Sequence, residues 1–172
     1  RRLPPEISTV GVFRNEHASR VIEIAHKAGL KAIQLHGRET PAQTKEIAGH
    51  FRWVIKAFAS DDENLPNADR YGTDMLLLDA PSPGSGKMFD WSIAGDAPGS
   101  MKLILAGGLT PENVGSAVEE VRPWGVDVAS GVEKEPGRKD PMKVKRFIEN
   151  AKAHAIEQYR GDDNIPYDWD FE

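Results

Sequence analysis

Short apolar runs return along this chain every 21 to 27 residues, with a helical pattern in most of the intervals. The runs are Thr9-Val10-Gly11-Val12-Phe13, Ala32-Ile33-Gln34-Leu35-His36, Trp53-Val54-Ile55-Lys56-Ala57, Met75 to Asp79, Lys102 to Ala106 and Gly125 to Ala129. They are apolar at nearly every position instead of every second one, which suits strands buried on both faces. The spacing is about that of one strand plus one return helix. The pattern therefore predicts six consecutive βα units with parallel strands and right-handed crossovers. Two architectures satisfy it: an open doubly wound sheet, or part of a (β/α)8 barrel, in which eight such units need roughly 185 residues.

The helices announce their ends. Glu16 to Ala28 carries Val21, Ile24 and Ala25 on one stripe and stops at Gly29, a residue suited to the left-handed C-cap. Thr40-Pro41, Thr110-Pro111 and Asp140-Pro141 each set a capping side chain before a proline at the first helical position. Within residues 61–74 a short helix is expected over Asp61 to Ala68, broken by Pro66. From His154 the character changes: 154–172 form an acidic extension ending Tyr167-Asp168-Trp169-Asp170-Phe171-Glu172, beside a barrel-type domain over 1–153. The opening Arg1-Arg2-Leu3-Pro4-Pro5 has no initiator Met and reads as the tail of a helix running into a break, so the numbering is expected to begin inside a longer protein.

Composition narrows the chemistry. There is no cysteine, which excludes disulfides, zinc–thiolate sites and any thiol nucleophile or base within these residues. The net charge of −5 argues against a nucleic-acid partner, which needs a clustered basic face. The longest apolar runs, Met75 to Leu78 and Leu103 to Ala106, fall far short of the ~20 residues of a membrane span.

In both architectures the working residues sit at the carboxyl ends of strands. Gly107-Gly108 and Ser130-Gly131 follow the last two strands, where backbone N–H groups beside helix starts make a cradle for a phosphate; the plainer reading is that these glycines turn the chain. Asp79 closes three leucines at a strand mouth, where partial desolvation suits a general acid; otherwise it caps a loop. The loop Pro83-Gly84-Ser85-Gly86-Lys87 behind it lacks the spacing of a nucleotide P-loop and is suited to closing over a substrate. Asp127 interrupts an apolar strand and reads as a buried acid, either a substrate ligand or the partner of an interior cation. His36 ends the second strand and is either structural or a substrate contact, while His17, His26, His50 and His154 lie in or beside helical patterns at the surface. No His/Asp/Glu spacing resembles a metal site.

Taken in order, Gly11-Val12-Phe13, Gln34-Leu35-His36-Gly37, Leu77-Leu78-Asp79, Gly84-Ser85-Gly86-Lys87 with Phe89-Asp90-Trp91, Ala106-Gly107-Gly108-Leu109 with Pro111-Glu112-Asn113-Val114, Val126-Asp127-Val128 with Ser130-Gly131-Val132-Glu133, and Pro136 to Asp140 resemble phosphoribosylanthranilate isomerase. The resemblance spans about Thr9 to Ala153. It implies a (β/α)8 TIM barrel, of which six units are present here and two lie upstream or are missing. It implies an Amadori rearrangement of a phosphorylated aminoaldose in tryptophan biosynthesis, catalysed without metal or organic cofactor by a cytoplasmic monomer or homodimer. By position, Asp79 matches the family's general acid, Gly107, Gly108, Ser130 and Gly131 its phosphate site, and His36 and Asp127 its substrate pocket. The family's cysteine base, in a Lys-Ile-Cys-Gly motif, and its anthranilate-binding arginine have no counterpart here. If these residues were the whole polypeptide, the resemblance would imply no isomerase activity. Two other readings stand beside it: the related aminoaldose isomerase of histidine biosynthesis, disfavoured because residues 1–86 and 87–172 show no internal repeat, and an inactive barrel fragment serving as a binding module.

Overall fold

The structure is a computed structural model and describes residues 3–4, 6–79 and 91–155. Six parallel strands form one sheet in chain order: β1 (Val10–Phe13), β2 (Ala32–Leu35), β3 (Trp53–Ala59), β4 (Met75–Asp79), β5 (Lys102–Ala106) and β6 (Gly125–Val126). Consecutive strands are neighbours throughout, as in a wound barrel wall and unlike a doubly wound sheet, whose strand order reverses. The wall is not closed: β1 and β6 stand at its two edges. Val10 and Val12, on the inner side of β1, are accordingly 38% and 62% exposed.

Alternation along the strands sorts side chains into two layers. The outer positions pack under the helices. Ile33, Leu35 and Val54 meet Ala18, Val21 and Ala25 of α1 (Ala18–Ala28) and Ile47 of α2 (Pro41–Ala48). Phe58, Leu76, Leu78 and Leu105 meet Val114, Ala117 and Val118 of α3 (Val114–Val121) and Phe147 of α4 (Pro141–His154). The inner positions Ile55, Ala57, Met75, Leu77, Ile104 and Ala106 form a separate cluster. Its amino-terminal end is floored by Trp53 and Trp124, with the Lys102 ammonium 5.6 Å and 5.3 Å from their ring centres. With that end filled, the open end of the inner layer is the carboxyl rim.

Caps read from the sequence hold at α2, where Thr40 and Gln43 form a reciprocal capping box, at α4, where Asp140 accepts from Met142 and Lys143 N–H, and at Gly29, left-handed at φ 65°. Three readings need correction. The helix expected from Thr110 begins at Val114: the Thr110 hydroxyl accepts from Glu112 N–H, and the Asn113 side chain accepts from Thr110 N–H, so a turn precedes the helix. Residues 61–74 contain a 3-10 helix over Leu65–Tyr71, entered through Pro66. The last strand pairs only over Gly125–Val126, and Ala129 at φ −115°, ψ −85° leads into the 3-10 turn Ser130–Val132. An antiparallel hairpin, β7 (Glu133–Glu135) with β8 (Arg138–Lys139), was not foreseen, though Gly137 at φ 79° marks its turn. The acidic extension beyond Ala155 and the glycine-rich loop Pro83 to Lys87 lie outside the described residues.

Candidate active site

Strand alternation puts Gln34 and His36, Asp79, and Asp127 on the inner layer at the carboxyl rim. Each follows outer-facing neighbours: Leu35 on β2, Leu78 on β4 and Val126 on β6. The rim brings His36 and Asp79, 43 residues apart, into contact: His36 Nε2 lies 3.1 Å from Asp79 Oδ2. The Gln34 side-chain amide is 2.9 Å from His36 Nδ1. An amide N–H donates, so in this arrangement Nδ1 is placed to accept and Nε2 to donate to Asp79. His36 and Asp79 are half-buried, with side chains 33% and 41% exposed, so they are reachable from solvent but held by each other.

Asp127 departs from expectation. The sequence pattern predicts a buried acid inside a strand, but β6 ends one residue earlier and Asp127 is exposed on the rim. Its backbone N–H still donates to Leu105 O at 2.8 Å, which aims the side chain inward. Surrounding protein displaces enough water, and the Asp79 carboxylate repels enough, to raise the Asp127 carboxyl above its ordinary value; His36, the Val128 amide and Lys139 offset part of that rise.

The two glycine loops meet beside this group. Gly107 and Gly108 have φ of 79° and 62°, left-handed backbone that a β-carbon resists. Asn113 clamps their loop by donating from its side chain to Gly108 O at 3.0 Å. Gly131, in the 3-10 turn Ser130–Val132, lies so close to the Leu109 carbonyl that a side chain there has no room. These glycines turn the chain, and the close approach of Gly131 to the Leu109 carbonyl brings the two loops together.

One cluster behind the rim was missed by sequence reasoning. Lys56, read only as part of a strand, is 2% exposed and ion-paired at 3.2 Å to Glu39, which is 3% exposed. Burial pushes the Glu39 carboxyl up, but Asn15 N–H, its own N–H and Lys56 outweigh it and hold the group below its ordinary value. Burial pulls the Lys56 ammonium down, more strongly than Glu39 and Asp62 hold it up. A charged residue between Ile55 and Ala57 in a strand buried on both faces was the available signal. Beside this pair an open cleft of about 560 Å³ is lined by Gly37, Arg38, Lys56, Asp61, Asn64 and Tyr71 among others. Among the described residues no group of three or more His, Cys, Asp or Glu side chains is arranged to hold a metal ion.

Residues 2–150 match the family of N-(5'phosphoribosyl)anthranilate (PRA) isomerase. The chain belongs to this family. The N-(5'-phosphoribosyl)anthranilate isomerase of Pelobacter propionicus is 43% identical over 165 residues, covering 93% of this chain and 78% of that protein. The crystal structure of the PRA isomerase from Thermotoga maritima superposes with a TM-score of 0.76 at 43% identity, over 88% of this chain and 76% of that one. A PRA isomerase in complex with reduced 1-(o-carboxyphenylamino)-1-deoxyribulose 5-phosphate superposes with a TM-score of 0.74 at 40% identity, over 88% of this chain and 75% of that one. The parallel α/β wall is thus that of PRA isomerases, with the barrel left open. The expectation that these residues would lack isomerase activity if they were the whole polypeptide is contradicted by the same finding: relatives matched over more than three quarters of their length are named isomerases.

Proposed function

We propose that the chain catalyses the reaction for which its relatives are named, converting N-(5'-phosphoribosyl)anthranilate to the corresponding aminoketose, a step of cytoplasmic tryptophan biosynthesis. The observation that carries this reading is the Gln34–His36–Asp79 chain of hydrogen bonds, opening on the rim where the two glycine loops converge.

In this reading backbone amides of the Gly107-Gly108 and Ser130-Gly131 loops bind the 5'-phosphate, a fit of oriented N–H groups to a dianion. Asp79 gives a proton to the furanose ring oxygen. The C1'–O bond breaks as the anthranilate nitrogen lone pair forms a C=N bond. A base then takes the C2' proton to give an enolamine, and loss of the enol hydroxyl proton with protonation at C1' gives the ketone. His36 orients Asp79 by donating to Oδ2, leaving Oδ1 to carry the transferred proton. Asp127, whose carboxyl is raised, faces the same space and contacts the sugar hydroxyls. No cysteine occurs in the chain, so the thiol base implied by the resemblance has no counterpart among these residues, and the base is assigned to none of them.

The test follows the loss of anthranilate fluorescence from the substrate, with calorimetric titration of reduced 1-(o-carboxyphenylamino)-1-deoxyribulose 5-phosphate alongside. Expected are turnover that Asp79→Asn removes and binding that inorganic phosphate displaces. A chain that neither turns over substrate nor binds the reduced compound refutes the reading.

A further inference from the structure

Lys56 lies on the outer side of β3, between Val54 and Phe58. Its ammonium donates to Gly37 O and Ala57 O at 2.8 Å each and to Leu35 O at 3.4 Å. The Phe58 and Tyr71 rings lie 5.2 Å and 5.9 Å away. Two of the three carbonyls belong to the residues immediately before and after His36. Glu39 works from the other side: its Oε2 accepts from Gly37 N–H at 3.0 Å and its Oε1 from Asn15 N–H at 2.8 Å. Asn15 in turn accepts from Arg38 N–H at 2.7 Å.

The backbone on both sides of His36 is therefore tied to one buried ion pair, which also fastens it to the loop after β1. A methionine would fill the same volume between sheet and helices without charge, and an apolar replacement of a buried pair is often neutral or better for stability. What an apolar side chain lacks is a donor that takes several converging carbonyls at once. We propose that Lys56 and Glu39 are positioning residues for His36: they fix the backbone from which its ring reaches Asp79. The inference rests on the isomerase reading for its effect on turnover. Neither residue contacts the His36 ring or Asp79 among the hydrogen bonds and ion pairs described, so neither is a catalytic residue.

The test uses the full chain with Lys56→Met and Glu39→Gln, each alone and combined with His36→Ala. Kinetics come from the fluorescence assay. The His36 ring tautomer comes from long-range ¹H–¹⁵N spectra, which need no turnover. Lys56→Met is expected to lower kcat about tenfold with KM within about threefold, and to add no more than about twofold to the loss caused by His36→Ala, because residues acting through one group are not additive. The spectra of Lys56→Met should lose the Nε2–H signature. Glu39→Gln, which keeps an amide oxygen for the backbone donors, moves the same quantities less and carries the test should Lys56→Met fail to fold. Losses of equal size in both backgrounds, or an unchanged tautomer, overturn the proposal. A changed tautomer in a chain without turnover supports the positioning and overturns the isomerase reading instead.

Discussion

Gly131→Ala tests the meeting of the two glycine loops most directly. The added β-carbon falls on the Leu109 carbonyl, with Leu109 C at 2.9 Å and Thr110 Cα at 3.3 Å. These are backbone atoms in a loop already held by Asn113, so no flexible side chain can yield, and the loops must separate. Overpacking of this kind costs about 1–3 kcal/mol, and the upper end applies where the obstacle is backbone. For a chain of 172 residues, about 3 kcal/mol lowers Tm by roughly 6–12 °C. Parted loops no longer present their amides to one anion, so affinity for inorganic phosphate should fall about tenfold, equivalent to about 1.4 kcal/mol. The control is Gly99→Ala, where a β-carbon meets nothing within 4 Å. Thermal unfolding by circular dichroism and phosphate titration by calorimetry read the two effects. Should Gly131→Ala match Gly99→Ala in both, the loops do not meet as described and the anion site loses its basis.

Asp79→Asn should lower turnover by about 10²–10⁴-fold, the usual contribution of a general acid, while Tm stays close to wild type because the side chain is 41% exposed. Lys56→Met should cost about 3–5 kcal/mol in urea unfolding at neutral pH, since it strands a buried carboxylate, and adding Glu39→Gln should recover much of that loss. The Glu39 carboxyl is held below its unfolded value of 4.5, so its stabilisation is present above that pH and vanishes as pH falls through the folded value; Glu39→Gln should flatten the acid limb of stability against pH. Asp127 has the opposite sign. Its carboxyl is raised from 3.8, so the ionised form costs stability once pH rises through the folded value, and Asp127→Asn should stabilise the chain at pH 7 but not at pH 3, by less than about 1 kcal/mol given its exposure.

The rim residues His36, Asp79, Gly107 and Gly108 were legible because a chemical residue type directly follows an apolar run. A parallel strand that ends there can only point it out of the core. Asp127 was half legible: its place at the rim follows from the run before it, but its exposure depends on where pairing with β5 stops, one residue before it. Asn113 was visible as a motif member, yet its grip on Gly108 O requires the fold of the turn. Lys56 stood in plain view inside a strand, and nothing local says that its ammonium meets Glu39, 17 residues earlier, and the carbonyls flanking His36.

Order along the chain therefore determined the parallel strands, their succession and the end of the sheet at which His36, Asp79 and Asp127 gather, because apolar spacing and capping residues act over one or two turns of chain. Tertiary structure alone decided that the six strands form an open wall, that His36 reaches Asp79, that Gly131 abuts Leu109, and that a buried ion pair ties down the backbone behind them. Those contacts join residues 17 to 43 positions apart, and their energies depend on the burial and geometry that the assembled sheet creates.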